Sequence, residues 1–73
     1  MLTSHYGFSI GDLVEILQDI EWEDIVAREG ELGMVIEIYE PDHETIFFDL
    51  NIQLGDGSRI PVWAGEIIKL EDK

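Results

Sequence analysis

Thr45-Ile46-Phe47-Phe48-Asp49-Leu50-Asn51-Ile52-Gln53-Leu54 is the stretch that sets the fold class. Ile46, Phe48, Leu50, Ile52 and Leu54 alternate with Phe47, Asp49, Asn51 and Gln53. That period of two belongs to a strand with one face in a core and the other mostly wet. Gly55-Asp56-Gly57 comes next and tolerates the positive φ of a hairpin turn, so Arg59 to Trp63 reads as the returning strand. Pro61 has no amide hydrogen, which sets that strand at an edge or turns the position away from its neighbour.

Working outward, the same alternation recurs. Asp12 to Leu17 follows a Gly-Asp turn and puts Val14 and Ile16 on one face. Gly33 to Glu40 sets Met34, Ile36 and Ile38 against Val35, Glu37 and Tyr39, and Pro41-Asp42-His43-Glu44 ends it as a polar turn. Ala64-Gly65-Glu66 interrupts the ladder before a closing strand, Ile67 to Leu70. Five short strands predict an all-β closed barrel, with Val14, Ile16, Ile36, Ile38, Phe48, Leu50, Val62 and Ile68 near its core. Residues 1–9 and 71–73 read as tails of a single domain spanning 1–73. The exception to the alternation is Gln18 to Leu32. Asp19 can cap a helix with Glu21, Glu23 and Asp24 in its first turn and Arg28 in its last. The same segment also reads as a long irregular loop anchored by Trp22, and both readings stay open.

The chain has 73 residues, with 17 Asp plus Glu against 4 Lys plus Arg, a net charge of −13. A chain of this length buries only about 60% of its unfolded surface, room for one small core. Its 45% hydrophobic content is too high for a disordered acidic tail. With no cysteine, disulfides, thiolate metal sites and a Cys nucleophile are excluded. That composition suits a reducing cytoplasm, the compartment expected here. No stretch approaches the roughly 18 apolar residues of a membrane helix, so no membrane association is expected.

Three stretches together resemble the small SH3-like barrel superfamily: Ile10-Gly11-Asp12-Leu13-Val14-Glu15-Ile16, Gly30-Glu31-Leu32-Gly33-Met34-Val35-Ile36-Glu37-Ile38 and Val62-Trp63-Ala64-Gly65-Glu66-Ile67-Ile68-Lys69-Leu70. The resemblance implies a five-stranded barrel with a long loop after the first strand and a short 3-10 turn before the last. Length and architecture are similar to stand-alone barrels found as short phage-encoded proteins and as accessory subunits of photosynthetic electron-transfer complexes. The second strand also resembles the KOW type of nucleic-acid-associated barrel, without the basic residues expected there.

Charge then narrows the function. Asp12 to Glu31 holds eight carboxylates and one base, Arg28, and Glu37 to Asp49 holds five carboxylates and no base. Phosphate contacts need Lys and Arg, so direct nucleic-acid binding is disfavoured and a basic protein partner is expected. Trp22, Tyr39, Phe47 and Trp63, flanked by Glu37 and Asp49, are the candidate partner-binding residues, suited to a basic or proline-rich peptide. The alternatives are a nucleic-acid mimic acting on a basic protein and a structural subunit of a virion or redox complex. Exposed strand edges also offer a route to a homodimer. No catalytic, cofactor or metal residues are assigned. Asp49-x-Asn51-x-Gln53 starts like a calcium loop, but Leu54 and Ile60 stand where Gly and Glu are needed. His43 between Asp42 and Glu44 reads as turn chemistry, the serines have no base at nucleophile spacing, and Gly55-Asp56-Gly57 has no Lys after it.

Overall fold

The computed structural model describes residues 4–40 and 48–70. Its architecture is all-β. The strands are β1 (Ser4–His5), β2 (Phe8–Ser9), β3 (Leu13–Ile16), β4 (Ile20–Trp22), β5 (Ile25–Ala27), β6 (Leu32–Ile38), β7 (Leu50–Leu54), β8 (Arg59–Val62) and β9 (Ile67–Lys69). Five of them form an antiparallel sheet in the order β8-β7-β6-β3-β9, and β1-β2 and β4-β5 are separate hairpins. β8 and β9 are the two edges and are not paired with each other, so the expected closed barrel is not formed. β8, which carries Pro61, lies at an edge as its missing amide hydrogen requires.

The core is drawn from one face of each strand. Val14, Ile16, Val35, Leu50, Ile52, Ile60 and Val62 are fully buried, and Ile38, Leu54 and Ile67 nearly so. Val14, Ile16, Ile38, Leu50 and Val62 therefore sit where alternation puts them. Ile36 does not. The β6–β7 register runs from Val35↔Ile52 to Glu37↔Asn51, a bulge that leaves Ile36 without a partner. One extra residue reverses the phase of the strand. Val35 and Ile38 both point inward as a result, while Ile36 is only half-buried. Ile68 is a second correction. Ile67 pairs with Ile16 and Ile68 with Glu15, so Ile67 enters the core and Ile68 faces out, 51% exposed. Phe48 is the third: it precedes β7 and is half-buried. Ile46 and the Pro41-to-Glu44 turn lie outside the described residues.

Gln18 to Leu32 is neither a helix nor an irregular loop. β4 and β5 pair as Ile20↔Ala27, Glu21↔Val26 and Trp22↔Ile25 around the two-residue turn Glu23-Asp24. Glu23 has φ 54°, the left-handed conformation that two-residue hairpins demand at their first central position. Ile20 and Ala27 insert into the core and fasten the hairpin's base. Asp19 Oδ1 accepts from the Glu29 amide at 2.8 Å, and Ile16 exchanges backbone bonds with Gly30 and Glu31 at 2.7 and 2.8 Å.

The start of the chain also departs from its reading as a tail. Ser4 to Ser9 is a hairpin whose turn residues Tyr6 and Gly7 have φ 58° and 85°. Positive φ at both centres is the type I′ pattern, and glycine at the second keeps its cost low. Phe8 is buried and anchors the hairpin. At the other end, Ala64–Glu66 forms the expected 3-10 turn, closed by Trp63 N–H to Glu66 Oε1 at 2.8 Å and Glu66 N–H to the Trp63 carbonyl at 3.0 Å. Residues 71–73 lie outside the described residues.

Ile52→Ala removes a fully buried side chain, a loss of about 2–5 kcal/mol. A core this small supplies only about 3–5 kcal/mol. We expect Ile52→Ala to be largely unfolded at 25 °C by circular dichroism and Phe48→Ala to retain a cooperative melt. Equal losses in the two variants would contradict the placement of Phe48 outside the sheet. Gly33 is the tight point of the sheet: a Cβ there would stand 3.1 Å from the Gln53 carbonyl and 3.3 Å from Ile52 Cδ1. Gly33→Val should lower stability by about 1–3 kcal/mol, read as a lower midpoint in urea; an unchanged midpoint would refute the close approach.

Candidate functional site

Three aromatic side chains from separate parts of the chain meet at one end of the sheet. Trp22 ends β4, Phe48 leads into β7 and Trp63 follows β8. The Phe48 ring lies 5.2 Å from Trp22, nearly perpendicular at 84°, and 5.4 Å from Trp63, tilted at 49°. An edge-to-face pair such as Trp22–Phe48 contributes about 0.5–1.5 kcal/mol beyond area burial, which helps order the cluster before any partner arrives. Trp22 remains 37% exposed and Trp63 47%. They are the only tryptophans in the chain, and both present indole surface to solvent.

Trp63 is held by the turn that follows it. The Trp63 amide donates to the Glu66 carboxylate, whose other oxygen accepts from Gln18 Nε2 at 3.2 Å. The Leu17 amide donates to the Glu66 carbonyl at 2.9 Å, tying the turn to the segment that leads into β4. Asp49 fixes the third side. Its Oδ2 accepts from the Ala64 amide at 2.7 Å, and, adding to burial, its charge stands close enough to the Tyr6 hydroxyl to raise that group's pKa. The residue between Phe48 and β7 is thereby bonded to the turn after Trp63, so the two rings hold their spacing.

Among the sequence-derived candidates, Trp22 and Trp63 come together and Asp49 stands beside them as a brace. Phe47 lies outside the described residues; its neighbour Phe48 occupies the centre of the cluster. Tyr39 and Glu37 are elsewhere. They lie after the bulge, half-buried, where burial and Glu37 raise the Tyr39 hydroxyl's pKa. Among the described residues no ring contact joins Tyr39 to the cluster. Tyr6 and Glu66 were missed. Phe48 was assigned to the core by extending the alternation of β7 two residues too far, and Asp49, an acid whose side chain satisfies a backbone amide, was the available sign that the strand begins later.

The β4–β5 hairpin that carries Trp22 is acidic. Glu21, Glu23 and Asp24 flank Trp22 on its hairpin and are exposed, without a hydrogen-bond or ion-pair partner among the described residues. Two of the bases are paired elsewhere: Arg28 with Asp19 at 3.5 Å and Lys69 with Asp12 at 3.5 Å. Arg59 begins β8, whereas Trp63 follows its other end. An exposed aromatic surface carried in part by an acidic hairpin can receive apolar and cationic groups together. Among the described residues no helix is long and apolar enough to cross a membrane.

Comparison with protein-family models, with curated proteins and with solved structures finds no match.

Burial and the Asp49 carboxylate raise the Tyr6 hydroxyl above its ordinary 10.0, and burial with Glu37 does the same for Tyr39. Above pH 10 the unfolded chain loses these protons first. The folded state then holds protons the unfolded state lacks, so stability is whole below about pH 10 and falls as pH rises through the folded values. Urea midpoints between pH 8 and 11 should decline, and Tyr6→Phe should flatten part of that decline. A Tyr6→Phe profile parallel to wild type would remove the Asp49 contact from this account.

Proposed function

We propose that this protein is a small non-enzymatic binding or accessory module, SH3-like in strand arrangement though its sheet is not closed, that docks a basic, proline-containing segment of a protein partner on Trp22, Phe48 and Trp63. The strand order with β9 returning to β3, the excursion between β3 and β6 and the 3-10 turn before β9 support the SH3-like reading. The observation that carries the functional reading is the pair of partly exposed indoles on either side of Phe48, one of them on the hairpin that also bears the exposed acids Glu21, Glu23 and Asp24.

The chemistry is that of a rigid aromatic platform. Proline rings and the alkyl stems of Lys and Arg pack on indole faces, and the cationic ends find both the ring quadrupole and the carboxylates. Pre-ordering matters here. Glu66 and Asp49 fix the backbone at Trp63 and Ala64, and ring contacts with Phe48 pack both indoles, so less freedom is lost on binding. The acidic hairpin steers the encounter, an effect that weakens as salt screens it over about 10 Å at 0.1 M.

Because both tryptophans of the chain belong to the surface, their fluorescence reports occupancy directly. Titration with a ten-residue peptide containing two prolines and two arginines should shift the emission, with affinity falling between 0.05 and 0.5 M NaCl. Trp63→Ala should weaken binding by about 30-fold, the factor for a ~2 kcal/mol hot spot. Binding that follows salt but ignores Trp22→Ala and Trp63→Ala alike would overturn the platform and favour mimicry of nucleic acid by the carboxylates alone.

A further inference from the structure

The outer face of the sheet carries a second surface, away from the aromatic cluster. Leu13 is 53% exposed, Leu32 53%, Met34 44% and Ile68 51%. The register brings them together: Leu13↔Met34, Glu15↔Leu32 and Glu15↔Ile68. Leu32 and Ile68 thus flank Glu15 on its two sides. Next to them Leu13, Leu32, Met34, Gln53 and Leu54 line an open groove of about 290 Å³. That volume is at the small end of the ~300–1,000 Å³ of small-molecule pockets, which suits an anchoring side chain better than an enclosed ligand. The groove lies at the Leu54 end of β7 and Phe48 before its Leu50 end, separated by about 13 Å of strand.

Glu15 decides what covers this face. It is half-buried among aliphatic neighbours and has no hydrogen-bond or ion-pair partner among the described residues. A carboxylate in that setting is costly to cover unless a cation comes with the cover. A second copy of the chain is a poor occupant. A two-fold contact across this face would bury Glu15 of both copies in one interface, and each copy brings a net charge of −13.

We propose that the outer face of β3, β6 and β9 is a docking surface for a cationic amphipathic segment of a partner protein, with a Lys or Arg paired to Glu15 and apolar side chains on Leu13, Leu32, Met34 and Ile68. This surface is independent of the aromatic platform.

The test uses the full 73-residue chain, labelled with nitrogen-15, at 0.15 M salt. The probes are three synthetic 14-residue peptides: an amphipathic Leu/Lys sequence, a scrambled sequence of the same composition, and the amphipathic pattern with Glu for Lys. We expect the first to shift the amides of Leu13, Glu15, Leu32, Met34 and Ile68, and to bind at least 10-fold more tightly than the other two. Leu32→Ser and Glu15→Lys should each weaken it at least 10-fold with dispersed spectra retained, and Trp63→Ala should leave it unchanged. Equal binding of the scrambled peptide, shifts centred on Trp22 and Trp63, or indifference to Leu32→Ser and Glu15→Lys would each overturn the proposal. A wild-type dimer in sedimentation that Leu32→Ser dissociates would overturn it too, by showing a second copy on the face. The peptide comparison needs no variant, so it decides even if a substitution fails to fold.

Discussion

β3 is hydrogen-bonded on both sides, to β6 and to β9, and the rest of the molecule hangs on that double pairing. It brings the last strand of the chain back beside the first strand of the main sheet. The same four residues receive the ends of the long excursion between β3 and β6, through Ile16 to Gly30 and Glu31. One adjoining bond, Leu17 N–H to the Glu66 carbonyl, links the excursion to the 3-10 turn. Trp22 and Trp63 are 41 positions apart in sequence (63 minus 22), yet both are placed by contacts that start from this strand. Val14 and Ile16, fully buried, hold β3 in place, so the positions of the indoles rest on core packing as well as on local turns.

Acidity serves two purposes that composition alone could not separate. Asp12, Asp19, Glu31, Asp49, Asp56 and Glu66 each accept a hydrogen bond from a backbone amide. Turns in an all-β chain leave amides outside the ladders, and a carboxylate is a strong acceptor for them, whether a few residues away or, as for Asp19 and Asp49, from another part of the chain. This part of the charge is structural. Glu15, Glu21, Glu23 and Asp24 satisfy nothing among the described residues, and they stand at the two apolar surfaces. Self-repulsion in a body of net charge −13 favours losing such side chains.

How far the sequence could be read follows from the physics of a two-residue period. Alternation located β3, β7 and β8 and their buried faces, because each is short and unbroken. It failed wherever one residue changed the phase. The bulge at Ile36 has no local signature, since Ile36 is as apolar as Val35 and Ile38. Ile67-Ile68 is ambiguous for the same reason, and only pairing with Ile16 chooses the inner residue. For Gln18 to Leu32, capping and dipole arguments pointed to a helix, yet the segment is too short to be stable alone as one. Burial of Ile20 and Ala27 against the sheet, a tertiary effect, selected the hairpin. Of the candidate site, both tryptophans and Asp49 were legible as residue types, but their meeting around Phe48 depends on which strands are neighbours, and periodicity carries no such information.

Size makes the exposed apolar residues informative. A 73-residue chain has little core to spare, and burying a Leu, Ile, Met or aromatic side chain contributes about 1.5–3 kcal/mol. Leu13, Leu32, Met34, Ile68, Trp22 and Trp63 contribute only part of that to folding, because each stays at least a third exposed. Single exposed apolar residues need no explanation, but these are grouped by the sheet register and by ring contacts. Four lie on the outer face around Glu15, and two sit beside Phe48 near the free acids of the β4–β5 hairpin. In each group the apolar surface and the unpaired carboxylates coincide, which is the arrangement a partner combining apolar contacts with positive charge would match.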